Sequence, residues 1–138
     1  MNTQLRYLPI VGRLALASLF LFSGLGKLAA PAATQGYIAS VGLPLPVLSY
    51  LLAVAVELGG GTLLVLGYRT RAVAAIMTVF TLATAFAFHH AFGDQNQLMH
   101  FLKNISIAGG LLQVVAFGGG EISLDARKGT PSLRPARA

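Results

Sequence analysis

The chain contains no cysteine and no tryptophan, and only 4 of its 138 residues are acidic. Without cysteine there is no disulfide, no thiolate metal site, no iron–sulfur cluster and no dithiol relay, and no sulfur substrate can be held as a persulfide. Charge of either sign is scarce, at 10% of residues against about 25% in an ordinary soluble domain. Apolar side chains take its place, at 55% before the 16 glycines are counted. So little charge cannot cover a globule of this length, which excludes a soluble monomer. So many apolar residues exclude a disordered chain. Length allows one domain. A small integral membrane protein remains.

A helix that crosses a bilayer needs about 20 mostly apolar residues. Four stretches meet that need: Leu8–Ala30, Leu45–Leu66, Ala72–Phe92 and Leu98–Phe117. The expected fold is therefore all-α, an integral membrane four-helix bundle. Pro31, the Gly42–Pro46 run, Gly67–Arg71, Gly93–Gln97 and Gly118–Gly120 punctuate the spans. The first stretch has a basic start and Ala29-Ala30 near its end, as a cleaved leader has. Its length and Lys27 instead favour a retained span.

An even number of spans puts both termini on one side, with the loop between spans two and three. That side collects Arg6, Arg13, Arg69, Arg71, Arg127, Lys128, Arg134 and Arg137, and the other has Lys27 and Lys103. Eight against two predicts that both termini are cytoplasmic. The net charge of +6 then orients the chain and attracts anionic lipid, and calls for no nucleic-acid partner. Residues 1–125 form the expected membrane domain, and 126–138 read as a basic, disordered cytoplasmic tail.

Lipid is as apolar as leucine, so close backbone approach and hydrogen bonds must hold the helices together. Gly12, Ala15, Ser18, Ser23 and Gly24 allow this in span one, Gly59–Gly61 in span two, and Ala108–Gly110 in span four. Thr78, Thr81 and Thr84 in span three suit hydroxyls bonded back to their own helix.

Charged groups inside a span are costly and point to function. At about 1.5 Å of rise per residue, Arg13 and Glu57 differ in depth by only ~6 Å, which makes them the expected buried ion pair, with Gln113 near it. That pair is as readily a structural lock on helix register as a proton-carrying site. Toward the other side, Lys27, His89, His100, Lys103 and Asn104 fall within ~5 Å of one depth. His100, Lys103 and Asn104 also share a helix face. Such donors can bind an anion or the carbonyl of a quinone head group. The competing reading has Lys27 and Lys103 both snorkelling to the interface, with the histidines among the headgroups. It is the expectation for Lys27, whereas Lys103, beside Asn104, is expected to face inward. His89 or His90 with His100 has the form of an axial haem pair, but lies too near water to enclose a macrocycle. His89, His90, Asp94 and His100 lack metal-ligand spacing, so no metal site is expected. No phosphate loop, nucleophile elbow or zinc helix is present.

Arg13, followed by Leu19-Phe20-Leu21-Phe22-Ser23-Gly24-Leu25-Gly26-Lys27-Leu28, resembles the first-helix signature of the DoxX family. Three further blocks are similar to the rest of that family's pattern. They are Val56-Glu57-Leu58-Gly59-Gly60, then Phe101-Leu102-Lys103-Asn104-Ile105 with Gly109-Gly110, and Gly119-Gly120-Glu121-Ile122-Ser123-Leu124-Asp125. The resemblance implies a four-helix protein of the bacterial inner membrane. Some relatives are the membrane subunit of a thiosulfate:quinone oxidoreductase, and others associate with redox-defence enzymes. Arg13, Lys27, Glu57, Lys103 and Asn104 match the family's polar signature.

Three functions follow as expectations. The first is a quinone-linked, redox-associated membrane subunit with its ligand in an outer polar cavity. The second is a non-catalytic scaffold for partner proteins. The third is a small-solute permease, against which the lack of broken helices or inverted repeats counts. No residue is assigned a catalytic role, and the resident cofactor is left open. Redox proteins and a second copy of the chain are the candidate protein partners, because four helices make a thin bundle.

Overall fold

The structure, a computed structural model, describes residues 5–129. Nine residues of the expected tail, 130–138, lie outside that range. Among the described residues there is no strand.

The first span is α1, Leu8–Ala29, entered through a short 3₁₀ turn at Leu5–Tyr7. Pro9 stands in its first turn, where a missing N–H costs nothing. Pro31 then stops it, since a proline ring cannot follow in a continuing helix. Pro31 in turn starts a short helix, α2, Pro31–Ser40. The second span runs Pro46–Leu66 without a break: α3 at Pro46–Val54, a π-helical turn at Ala55–Gly60, then α4 at Gly61–Leu66. The third is α5, Thr70–Phe88, and the fourth α6, Gln95–Phe117, whose start is capped by Asp94 accepting from the Gln97 N–H. A last turn, α7, covers Leu124–Arg127, with Ser123 as its cap.

Four helices thus have the length and composition to cross a membrane, at the four expected places. Three details differ from expectation. The segment 31–40 is helical rather than a plain loop, the third span ends at Phe88, four residues before Phe92, and the fourth begins at Gln95, three residues before Leu98.

Exposure is inverted relative to a soluble protein. Phe22 is 80% exposed and Phe117 68%, whereas Arg13 is 1% and Glu57 6% exposed. Apolar side chains face outward because lipid solvates them, and the charges go inside where partners are.

Along its length the bundle has three tiers. One end carries the start of α1, the end of α6 and the 67–70 turn. The middle is a packed plug of Ala17, Phe20, Leu64, Val73, Ala74, Met77 and Leu111. Close approach there uses the expected small residues: a Cβ on Gly61 would lie 2.9 Å from the Leu21 side chain, and one on Gly60 2.9 Å from Met77. Thr78 and Thr81 donate to carbonyls four residues back, at 2.7 Å each, so these two hydroxyls are satisfied within α5. The third tier is a cavity.

Candidate functional site

The cavity lies at the end of the bundle away from the 67–70 turn and has a volume of about 770 Å³. That is within the range of about 300–1,000 Å³ typical of small-molecule sites. α2 closes one flank with Thr34, Tyr37 and Ile38, and α5 supplies Phe80, Thr84 and Phe88, with His89 just past its end. Tyr37 stacks on Phe88 with centroids 5.4 Å apart, joining α2 to α5 across the opening.

The polar floor is a triangle. Lys27 Nζ donates to Glu57 Oε1 at 2.9 Å and to Ser23 Oγ at 2.8 Å, while Ser23 donates to the same Oε1 at 3.2 Å. Glu57 Oε2 also lies 2.9 Å from Nζ as an ion-pair contact, although its direction does not make a hydrogen bond. The Lys27 side chain is 25% exposed and that of Glu57 7%. Tyr50 donates to the Lys27 carbonyl at 3.3 Å.

The sequence builds this triangle locally. Ser23 and Lys27 are four apart and share a face of α1. Gly24 on that face lets the second span come close: a Cβ there would lie 2.7 Å from Leu58 and 3.2 Å from the Glu57 Cβ. Glu57 itself sits in the π-helical turn, a form of helix enriched at functional sites.

Arg13 and Glu57, expected as partners, are not brought together. Side chains lean toward the N-terminus of their helix. α1 and the second span are antiparallel, so Arg13 and Glu57 lean apart. Glu57 leans toward the tier that holds Lys27, and the ammonium reaches it along the shared face of α1. Lys27 therefore does not snorkel to the headgroups. Arg13 leans to the other end, where it donates to the carbonyls of Leu64 at 2.8 Å and Val65 at 3.2 Å. Those oxygens belong to the last turn of the second span, where carbonyls run out of helical donors. Leu64 keeps only a longer capping bond, accepting from the Gly67 N–H at 3.3 Å. A second Arg13 nitrogen donates to the Ile122 carbonyl.

Around this guanidinium the 122–125 segment is clamped to the 67–70 turn. Asp125 accepts from the backbone N–H of Arg69 at 2.7 Å and of Thr70 at 2.8 Å, and from the Thr70 hydroxyl at 2.6 Å. Partial burial opposes the charge on Asp125. The bonds from Thr70 and Arg69, with Arg13 nearby, outweigh it and hold the carboxyl below its ordinary range. Gly67 has φ +67°, and a Cβ on it would strike Arg13 and Ser123, so only glycine serves there.

The remaining candidates divide. His89 and Asn104 line the cavity. His100 does not line it, but stacks on His89 with centroids 5.0 Å apart and rings inclined by 21°. Rings in contact leave no space for a macrocycle between them. His89 Nδ1 lies 3.0 Å from Gln97 Oε1, and His90 Nδ1 3.0 Å from the Phe86 carbonyl. Lys103 is exposed on the outer face of α6 and is not a lining residue, contrary to the inward facing expected for it. Gln113 is exposed as well, away from the Lys27–Glu57 pair. As lining residues, Tyr37 and Ser23 were not anticipated. Ser23 was legible, four residues before Lys27, whereas Tyr37 depends on a helix that hydropathy does not reveal.

Below the pair a smaller recess of about 160 Å³ shares Ser23, Glu57, Thr84 and Asn104 with the cavity and ends on Phe20, Thr81 and Ile107. Beneath it Ala17, Leu64, Ala74, Met77 and Leu111 are 0% exposed. The cavity is a blind pocket.

Fold and site together define a four-span helical membrane protein with a largely apolar pocket, floored by an ion pair, in one half of the bundle. The chain belongs to the DoxX family, whose profile matches residues 8–90. It is 38% identical to the inner membrane protein YphA of Escherichia coli K12 over 125 residues, 87% of this chain and 89% of the relative. It is 37% identical to the inner membrane protein YqjF of the same organism over 116 residues, 84% and 88% of the two chains. No solved structure gives a significant match.

Proposed function

We propose that the chain is a ligand-binding subunit of the bacterial inner membrane that holds a small molecule, of the kind of a quinone head group, in its cavity. The observation that carries this is a buried ion pair at the floor of an otherwise largely apolar pocket. A packed interior would bury such a pair completely if its role were register alone. Here Lys27 lines the pocket and keeps a quarter of its side-chain surface exposed. The aromatic walls from Tyr37, Phe80 and Phe88 suit a flat ring, and His89 and Asn104 offer hydrogen bonds at its edge. The association with redox proteins rests on the family resemblance. The eight-to-two distribution of basic residues supports cytoplasmic termini, which turns the pocket outward.

The blind end speaks against permeation, since a solute would have to cross the fully buried plug. The scaffold reading draws on α6, which presents Lys103, Ser106 and Gln113 outward and is the least buried of the four spans.

The test is an absorption titration. With no tryptophan and 4 tyrosines the protein is nearly dark near 280 nm, so a bound quinone is visible directly. In nanodiscs, a short-chain ubiquinone should bind saturably, with a band that bleaches on adding a reductant. Binding that scales only with lipid, and is the same in empty nanodiscs, overturns the proposal.

A further inference from the structure

The cavity is lined by two formally charged groups among the described residues, and they face each other. Lys27 brings one positive charge and Glu57 one negative, so the pocket is electrically compensated before any ligand arrives. Lys103, the other cation on this half of the bundle, is turned outward.

The hydrogen-bond count of Lys27 is also informative. An ammonium has three N–H donors. One goes to Ser23 Oγ and one to Glu57 Oε1. The third has no hydrogen bond, since Glu57 Oε2, though 2.9 Å away, is not aligned to accept one. It sits on a partly exposed side chain that lines the pocket. The floor therefore offers one strong donor and no uncompensated charge.

We infer that the Lys27–Glu57 pair is the specificity determinant of this pocket, making it a site for an uncharged, ring-sized molecule with an oxygen acceptor and closing it to anions. This rests on the ligand-binding reading given above. An entering anion would add a net negative charge to a partly buried site whose cation is already matched, which is costly. A carbonyl or ether oxygen meets no such penalty, because it takes the spare N–H and leaves the ion pair whole. The walls favour the same class, with Tyr37, Phe80 and Phe88 around the floor and Thr84, His89 and Asn104 as hydrogen-bonding groups.

The pair makes a sharper prediction than a simple loss. Glu57→Gln removes the countercharge and leaves Lys27 as a lone buried cation, so the same pocket should become an anion site. Methyl benzoate and benzoate are matched probes, with one ring, one carbonyl and a difference of one charge. Their binding to the full chain in nanodiscs is measured by ligand-observed NMR at about pH 8, above the range where imidazoles ordinarily charge.

The wild-type protein should bind methyl benzoate at least about tenfold more tightly than benzoate, and Glu57→Gln should reverse that order. A double variant, Lys27→Met with Glu57→Leu, removes both charges, a change that buried pairs commonly tolerate. It should still refuse benzoate and should bind methyl benzoate more weakly, for want of the donor. Equal binding of both probes by the wild type overturns the specificity claim while leaving the ligand pocket standing. Unchanged preference in Glu57→Gln, with the double variant folded and binding, overturns it too. If no variant binds either probe, the ligand-binding reading itself fails and this inference with it.

Discussion

At the residue scale, the outcome turns on which cation Glu57 finds. Depth along the sequence favours Arg13, and the lean of side chains on antiparallel helices turns Glu57 away from it, toward the tier of Lys27. Removing one partner of a buried pair leaves the other uncompensated, so Lys27→Met and Glu57→Gln should each destabilise the fold by about 2–4 kcal/mol. The lower end applies because Lys27 is 25% exposed. The Lys27→Met, Glu57→Leu double variant should recover most of that loss, as read by the unfolding midpoint in detergent. Equal losses in an Arg13→Met, Glu57→Leu double variant and in this one would contradict the pairing.

Asp125 gives a pH dependence of definite sign. Its carboxyl is held below the ordinary range in the folded protein. The clamp's contribution is therefore complete above about pH 4, the ordinary carboxylate value, and is lost as pH falls through the lower folded value. Asp125→Asn should remove this acid-side loss of stability, which thermal unfolding between about pH 6 and pH 3 would detect.

At the scale of elements, the four spans were legible because lipid demands long apolar runs, and Leu8, Leu66 and Phe117 mark their ends within a residue or so of the helices observed. The start of α6 at Gln95 was less legible, because Gln95, Asn96 and Gln97 are polar residues recruited into the helix by the Asp94 cap. α2 was hidden for a different reason. It is 10 residues long with little apolar periodicity, and it folds as a flap because Pro31 breaks α1 and then starts a new helix. Its contact with α5 through Tyr37 and Phe88 is worth about 1 kcal/mol beyond apolar burial. Tyr37→Ala should thus leave the stability of the bundle nearly unchanged and accelerate ligand exchange, which stopped-flow mixing with a short-chain quinone would show. The close approach at Gly24 has the opposite character. Gly24→Val would press on Leu58 and Glu57, and should weaken both the fold and the pocket.

At the scale of the whole molecule, the three tiers divide the labour. The clamp around Arg13 and Asp125 ties the 122–125 segment to the 67–70 turn, the plug of Ala17, Leu64, Met77 and Leu111 seals the centre, and the pocket occupies the far end. The sequence contained the ingredients of each tier, but not their assignment, because depth alone does not say which way a side chain leans. Orientation across the bilayer is open to a direct check, since a cysteine-free chain accepts a single reporter thiol without background. A cysteine placed at Arg69 should react with a membrane-impermeant maleimide only from the cytoplasmic side, and one at Gly93 only from the outside. The reverse labelling would invert the pocket.

The central claim, that the pocket holds a ligand, is tested most directly with a single introduced tryptophan, because the chain has none. Phe88→Trp puts the fluorophore in the pocket wall, and Phe117→Trp puts it on a lipid-facing surface that is 68% exposed. A short-chain quinone titrated into nanodiscs should quench the Phe88→Trp variant saturably at low occupancy. It should quench the Phe117→Trp variant only in proportion to the quinone dissolved in the lipid. Identical, non-saturating quenching in both variants would contradict the account.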